Sequence, residues 1–430
     1  MEYQTLYLKL KSAEYRHFIL TIILAFLIPV HQNLLGITIV LLAVNSAFLQ
    51  TEKKQNTLRY LFAGMFLYFG YHIAGTLWSE NQSFAWFDVQ IKLSFLLLPF
   101  IFMRSKSFCE EDFNKVLSSY IIGCSVAMVI GVLNAFYEYQ IGSSTYLDFY
   151  AQKISPSLHI GYFSMYMNFA IIILIYKLYF TSKELFSVVN IIRISLILLF
   201  SVAIFFSTSR NGFLVLFFIF ILAIVYSIVS KRKWMFGTLL VLISWIALSS
   251  FLKDYKNSTS DFHGFKQVVV AVEKKEVRKT EWESSAVRIL VWKTAVEIIQ
   301  EHPILGTGTG DIKDELVKLY KEKEYKYAYE RRYNAHNQYL QTAAALGIPA
   351  GLILIFMIIS PLFYNWKRWH FLGYFLAIIV GIACLTESVL EVQAGVVFYA
   401  FFASLFAQNM QNDYRTNFID NPLLYRKNKI

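Results

Sequence analysis

The sequence predicts an all-α polytopic membrane protein with about twelve transmembrane helices and one large, partly helical loop outside the membrane. Three observations predict it. The chain of 430 residues is 57% hydrophobic and only 16% charged, where ordinary soluble domains carry about 25% charged residues. Its apolar residues fall into runs of about 17–20, long enough to cross a hydrocarbon core as helix. The runs are continuously apolar rather than alternating with period two, which excludes a membrane β-barrel.

Taken in order, the runs occupy 18–30, 34–49, 58–78, 89–103, 116–136 and 160–179, then 191–207, 212–229, 234–251, 336–364, 371–386 and 393–409. The first, Phe18 to Val30, leads through His31-Gln32-Asn33 into a second span and shows no small-residue cleavage site, so it reads as a span and not a leader. The chain divides accordingly into a bundle of nine spans (1–251), a polar insert (252–335), three further spans (336–410) and a tail (411–430). Of the cysteines, Cys109 lies near a helix end, and Cys124 and Cys384 lie inside spans. None falls in the insert, so no disulfide framework or thiolate metal site is offered there.

The net charge of +11 is mostly a topology signal. One set of alternate connections carries clusters such as Lys9/Lys11/Arg16, Lys53/Lys54/Arg59, Lys231/Arg232/Lys233 and Lys367/Arg368. The opposite set, the insert aside, holds only Lys92, Lys153 and Arg210. Short loops rich in Lys and Arg stay in the cytoplasm, whereas long loops translocate whatever their charge. Both termini are therefore expected inside and residues 252–335 outside. Nucleic acid is not an expected partner.

Within the insert, 252–283 is charged and mixed. Residues 284–302 read as an amphipathic helix, capped by Ser284 or Ser285, with Val291, Trp292, Ala295, Ile298 and Ile299 on one stripe. Pro303 and glycines 306, 308 and 310 end it. Residues 311–332 read as a second, highly charged helix. A shorter external connection, 137–159, is long enough to pack against the insert.

Three residues stand out chemically. Arg210 sits between two apolar spans on the side depleted of basic residues; an arginine at that depth faces a polar cavity or partner, unless it snorkels to the interface. Arg288 shares the stripe of Trp292, and its planar donors suit phosphate oxygens; the ordinary alternative is a local ion pair with Glu281 or Glu283. His336 lies where the insert re-enters the membrane, beside Asn337, Gln338 and Tyr339, where a neutral imidazole can take a proton near pH 7. The segment Ile304–Asp311 looks like a phosphate-cradling loop but lacks the Gly-Lys-Ser/Thr ending and follows a helix, so it reads better as a turn for close packing. Glu387 and Glu391 flank the last external turn; they, Asp148, Lys153, His159 and Lys92 read first as solvated polar residues. No His-Glu-x-x-His or Asp-x-Asp pattern supports a metal, and no cofactor is indicated.

These pieces together resemble the O-antigen ligase and O-antigen polymerase superfamily of bacterial envelope proteins. The matching features are the twelve-span layout, the external loop before the tenth span, and three motifs: Ser209-Arg210-x-Gly212; Arg288-x-x-x-Trp292 leading through Glu301-His302-Pro303 to Leu305-Gly306-x-Gly308-x-Gly310; and His336-Asn337-x-Tyr339-Leu340 running into Leu346-Gly347-Ile348-Pro349-x-Gly351. The resemblance implies metal-independent transfer of a glycan from a polyprenyl-diphosphate donor to a sugar hydroxyl, on lipid A–core in the ligase branch or on another lipid-linked repeat in the polymerase branch. It implies Arg210 and Arg288 at the diphosphate, His336 at the acceptor, and Trp292, Asn337 and Tyr339 as substrate contacts. A non-enzymatic transporter or flippase of lipid-linked glycans is the alternative of a different class. It calls for charges along a transmembrane path, whereas the polar candidates cluster at one face. Oligomeric state is not legible.

Overall fold

The computed structural model describes residues 11–49, 58–141, 154–181, 187–207, 209–229, 285–363 and 370–420. The expected ninth span, the first part of the insert (252–284) and 142–153 of the second connection lie outside the described residues. Fifteen α-helices are used below: α1 (Ala13–Val30), α2 (Gln32–Ser46), α3 (Leu58–Gly75), α4 (Gln82–Lys92), α5 (Ser94–Arg104), α6 (Glu110–Gln140), α7 (Ile160–Tyr176), α8 (Val188–Phe206), α9 (Arg210–Val229), α10 (Ser285–Glu301), α11 (Ile312–Glu322), α12 (Lys326–Glu330), α13 (Gln338–Ile359), α14 (His370–Thr386) and α15 (Gln393–Asp420). No strand occurs among the described residues.

Six helical stretches among the described residues are long and apolar enough to cross a membrane: Ala13–Val30, Gln82–Arg104, Glu110–Gln140, Ile160–Thr181, Val188–Phe206 and Gln338–Leu362. Gln32–Ser46, Asn211–Leu222 and Phe371–Thr386 are apolar but shorter. The boundaries differ from the hydropathy runs where polar residues continue a helix beyond its apolar stretch. The expected span at 89–103 starts at Gln82, because Asn81 caps α4 by accepting from Phe84 N–H and Leu93 passes the chain on into α5. The charged stretch 311–332 is two helices, α11 and α12, and not one. Glu324, at φ 58°, turns the chain left-handed between them.

Helix α7 is the axis of the bundle, with every residue from Phe163 to Tyr176 buried. It is hydrophobic all round, as a helix enclosed by others must be. Helix α15 packs beside it through Phe398, Phe402 and Phe406, one turn apart. Phe402 meets Phe169 at 4.6 Å and Tyr120 at 4.9 Å, with the Tyr120 ring edge-on. Apolar side chains on the outer helices point away from the core, as at Ile37, Val40, Val44 and Leu133. In lipid such exposure costs nothing, and helix association rests instead on close packing and interhelical hydrogen bonds. Gly123 shows the closeness required: a Cβ there would lie 2.4 Å from the Phe26 carbonyl oxygen of α1.

The two ends of the bundle differ in charge. At one end Arg16 bonds Asn45, Arg104 donates to the Ser46 carbonyl, Lys177 donates to Asn114 O and Ser118 Oγ, and Arg193 donates to Lys177 O. These are the helix ends whose Lys and Arg set the expected orientation. At the other end, α10 to α12 pack over the start of α13 and the end of α3.

The turn after α10 joins these parts. Gly306 is at φ 68°, Gly308 at φ 116° and Gly347, inside α13, at φ 81°. A Cβ on Gly306 would stand 2.3 Å from the Ala345 carbonyl carbon. Gly306→Ala is therefore expected to combine left-handed strain with a backbone clash, destabilising by about 2 kcal/mol or more. Gly351→Ala, whose nearest neighbour would be Ala343 Cβ at 3.4 Å, should be near neutral. Thermal unfolding of both variants in one detergent checks the contrast.

Candidate functional site

Residues 304–311 bear on function by what they exclude. Every amide from Gly306 to Asp311 is engaged within the protein: Gly306 N–H with His302 O, Thr307 with Ala344 O, Gly308 with Ala345 O, Thr309 with Gly75 O, Gly310 with Ser79 Oγ and Asp311 with Gly308 O. A phosphate cradle needs free amides converging on one point. These amides instead clasp α13 to the end of α3. Asp311 completes the clasp by accepting from the Glu80 and Asn81 amides at 2.8 and 2.7 Å.

Above the clasp the chain returns through 331–337 to α13. His336 sits at φ 43°, a left-handed conformation rare outside glycine, though histidine tolerates it better than most. The loop imposes it: Ala335 N–H bonds Gln341 Oε1, and His336 N–H bonds Asn334 Oδ1. Asn337 caps α13 by accepting from Leu340 N–H and donates to Leu385 O; the Tyr339 hydroxyl donates to Gly381 O. Both side chains thereby hold the His336 turn against the end of α14.

Just beyond α14 stands Glu387. Its Oε1 lies 2.5 Å from Arg288 Nη2 and its Oε2 lies 2.9 Å from His336 Nδ1. Burial pushes the Glu387 carboxyl up, but the His336 hydrogen bond and the charges of His336, Arg288 and His159 outweigh it and hold the carboxyl below its ordinary range. An ionised carboxylate only accepts, so Nδ1 presents its N–H to Glu387, and in the neutral ring the lone pair then lies at Nε2. Among the described residues nothing bonds Nε2. Tyr333 meets the ring edge-on at 4.9 Å, which fixes its plane.

Helix α10 brings Arg288 to this point. Its buried stripe runs through Val287, Leu290, Val291, Thr294, Ala295 and Ile298, so Arg288 lies at the stripe's edge rather than beneath it. Its side chain is 36% exposed, and only one guanidinium nitrogen engages Glu387. The expected local partners, Glu281 and Glu283, lie outside the described residues; the observed partner is 99 residues away in sequence. Trp292, one turn along, is half-buried, and its indole N–H is shielded without an acceptor among the described residues.

Arg210 opens α9. Its side chain lies outside the described residues, but its neighbours locate its backbone. Ser209 Oγ accepts from Ser164 Oγ at 2.9 Å and Asn168 Nδ2 donates to Gly212 O, tying α9 to the first turns of α7. That same end of α7 borders Glu387, since a Cβ on Gly161 would lie 3.9 Å from Glu387 Cγ. The beginnings of α7 and α9, Arg288, His336 and Glu387 thus share one corner of the molecule.

Sequence reasoning undervalued the carboxylates and Lys92. Lys92 is completely buried, 2.5 Å from Asp88 Oδ1 and 3.5 Å from Glu391 Oε1. Asp88 Oδ2 bonds His72 at 3.0 Å. Glu391 accepts from Gln338 Nε2, whose Oε1 accepts from Leu390 N–H; Thr342 and Tyr68 extend the network. The available signal was the four-residue spacing of Asp88 and Lys92 within a largely apolar stretch, where paired charges are retained for a reason. Among the described residues, no three His, Cys, Asp or Glu are grouped as metal ligands.

Fold and site together define a multi-pass helical membrane protein whose ionisable groups converge at one end of the bundle. Residues 194–355 match the family model described as O-antigen ligase, so over that stretch the chain is similar to the O-antigen ligase family. The match includes Arg210, Arg288 and His336 and stops before Glu387. Comparison with curated proteins finds no match.

Two outcomes follow. Lys92→Met strands the buried Asp88 carboxylate and the half-buried Glu391 and should destabilise by about 3–5 kcal/mol, with Lys92→Met/Asp88→Asn recovering a large part in thermal unfolding. Because Glu387 is held below its ordinary value of 4.5, the stability it contributes is present above that pH and lost as pH falls through its folded value. Wild-type protein should therefore lose more melting temperature than Glu387→Gln between neutral and strongly acidic pH.

Proposed function

We propose that the protein transfers a glycan from a polyprenyl-diphosphate carrier to a sugar hydroxyl at the periplasmic face of a bacterial inner membrane, without a metal ion. The acceptor we assign is lipid A–core, the ligase reaction. The observation that carries the reading is the fork Arg288–Glu387–His336, in which one carboxylate orients a base and a cation side by side. The family match over 194–355 supports the same class.

In this reaction His336 Nε2 takes the proton of the acceptor hydroxyl as its oxygen attacks the anomeric carbon. The bond from that carbon to the diphosphate oxygen breaks, and its electron pair leaves with the diphosphate. Arg288, together with Arg210 at the start of α9, stabilises the charge that develops there. Trp292 offers a flat apolar face for a sugar ring. Asn337 and Tyr339 serve by holding the base in place. One direct displacement inverts the anomeric configuration.

Arg288→Ala and His336→Ala should each lower transfer by about 100-fold or more while the protein remains folded in the membrane. The assay is purified protein with a defined polyprenyl-diphosphate glycan, a core-lipid acceptor and chelator. Retained anomeric configuration in the product would overturn the single displacement. Elongation of a second lipid-linked donor instead of core lipid would assign the polymerase reaction.

A further inference from the structure

The fork has a property that transfer alone does not require: the cation assigned to the donor is already occupied by a carboxylate. Arg288 Nη2 and Glu387 Oε1 are 2.5 Å apart, a closed contact that a phosphate oxygen must replace or share. The remaining guanidinium donors engage nothing among the described residues, so a planar, bidentate anion has somewhere to bind. Arg288 is not the sole partner of Glu387. His336 bonds its other oxygen at 2.9 Å, and His159, which caps α7, approaches from a third element.

We propose that Glu387 is a specificity-determining residue that holds Arg288 until a diphosphate displaces it. This deepens, and rests on, the reading above that Arg288 receives the donor's diphosphate and His336 acts as base. Two physical consequences follow. A guanidinium open to the bilayer surface would attract any anionic lipid, and phosphodiester headgroups carry a single negative charge, comparable to the carboxylate already in place. A diphosphate brings more charge and more acceptor oxygens, so it wins the exchange where a phosphodiester does not. Once Arg288 has moved to the diphosphate, Glu387 retains His336 as its near partner, and the Nδ1–H bond that aims Nε2 persists. Donor binding and base alignment are thereby coupled through one carboxylate.

The test uses full-length protein in nanodiscs, with inorganic pyrophosphate as the binding probe and phosphatidylglycerol content as the competitor. Glu387→Gln should bind pyrophosphate about tenfold more tightly, the gain expected when a competing close charge is removed. Its transfer rate should fall, and phosphatidylglycerol should inhibit it at contents that leave wild type unaffected. A purely structural role would weaken binding and transfer together. In the Arg288→Ala background the same substitution should give no gain. An equal gain there would reveal a general field effect and overturn the exchange. Glu387→Asp, which keeps the charge and is shorter by one methylene, should show tighter pyrophosphate binding with part of the transfer retained. Should Glu387→Gln fail to fold, unchanged or weaker pyrophosphate binding by Glu387→Asp overturns the proposal. Full transfer by Arg288→Ala would sink the underlying site assignment itself, whereas loss of transfer there with no tightening in Glu387→Gln sinks only the exchange.

Discussion

Lys92 has no access to water, and the two carboxylates beside it come from different parts of the chain. Asp88 lies one turn earlier on α4, and Glu391 lies in the turn between α14 and α15. In the interior of a bundle, a lone ammonium is so unfavourable that this arrangement has no partial version. Satisfying Lys92 fixes the turn at Val389–Glu391 against α4, and Gln338 then fixes the first turn of α13 against that turn. His336 precedes that helix by two residues and Glu387 precedes that turn. The positions of His336 and Glu387 therefore follow from a charge balance that neither of them joins directly.

The glycine clasp does the complementary job on the other side. By engaging its amides with the backbone of α13 and α3, it seats α10 close to the membrane-embedded helices. Close approach of backbones, rather than anion binding, is what its glycines provide. Arg288 arrives at Glu387 because the end of its helix is anchored there. The candidate site is consequently a seam: α10 supplies Arg288, the returning loop His336, and the α14–α15 turn Glu387, which joins them.

The seam also explains why ionisable groups are tolerated at this depth. Each has a partner drawn from another element: Arg288 and His336 share Glu387, Lys92 reaches Glu391, and His72 meets Asp88. Polar groups near lipid persist where they are paired or face a cavity. Here the pairing leaves His336 Nε2 and most of the Arg288 guanidinium unengaged among the described residues.

The sequence by itself determined the helical class, the run-by-run hydropathy, the charge asymmetry and the order of the motifs around Arg210, Arg288 and His336. Those properties are local: apolar length, Lys and Arg in short connections, and glycine and proline breaks are all read within a window of a few turns. It also showed that α10 would be amphipathic and that glycines would end it. What it did not show was which partners these residues take. Glu387 lies 99 residues from Arg288 and 51 from His336, and a carboxylate at a helix end looks the same whether it is solvated or holds a base. Lys92 read as an external cation because its hydropathy window ends there. Only the packed bundle, where an unpaired charge is excluded, decided that it is buried and that the site is built around its neutralisation.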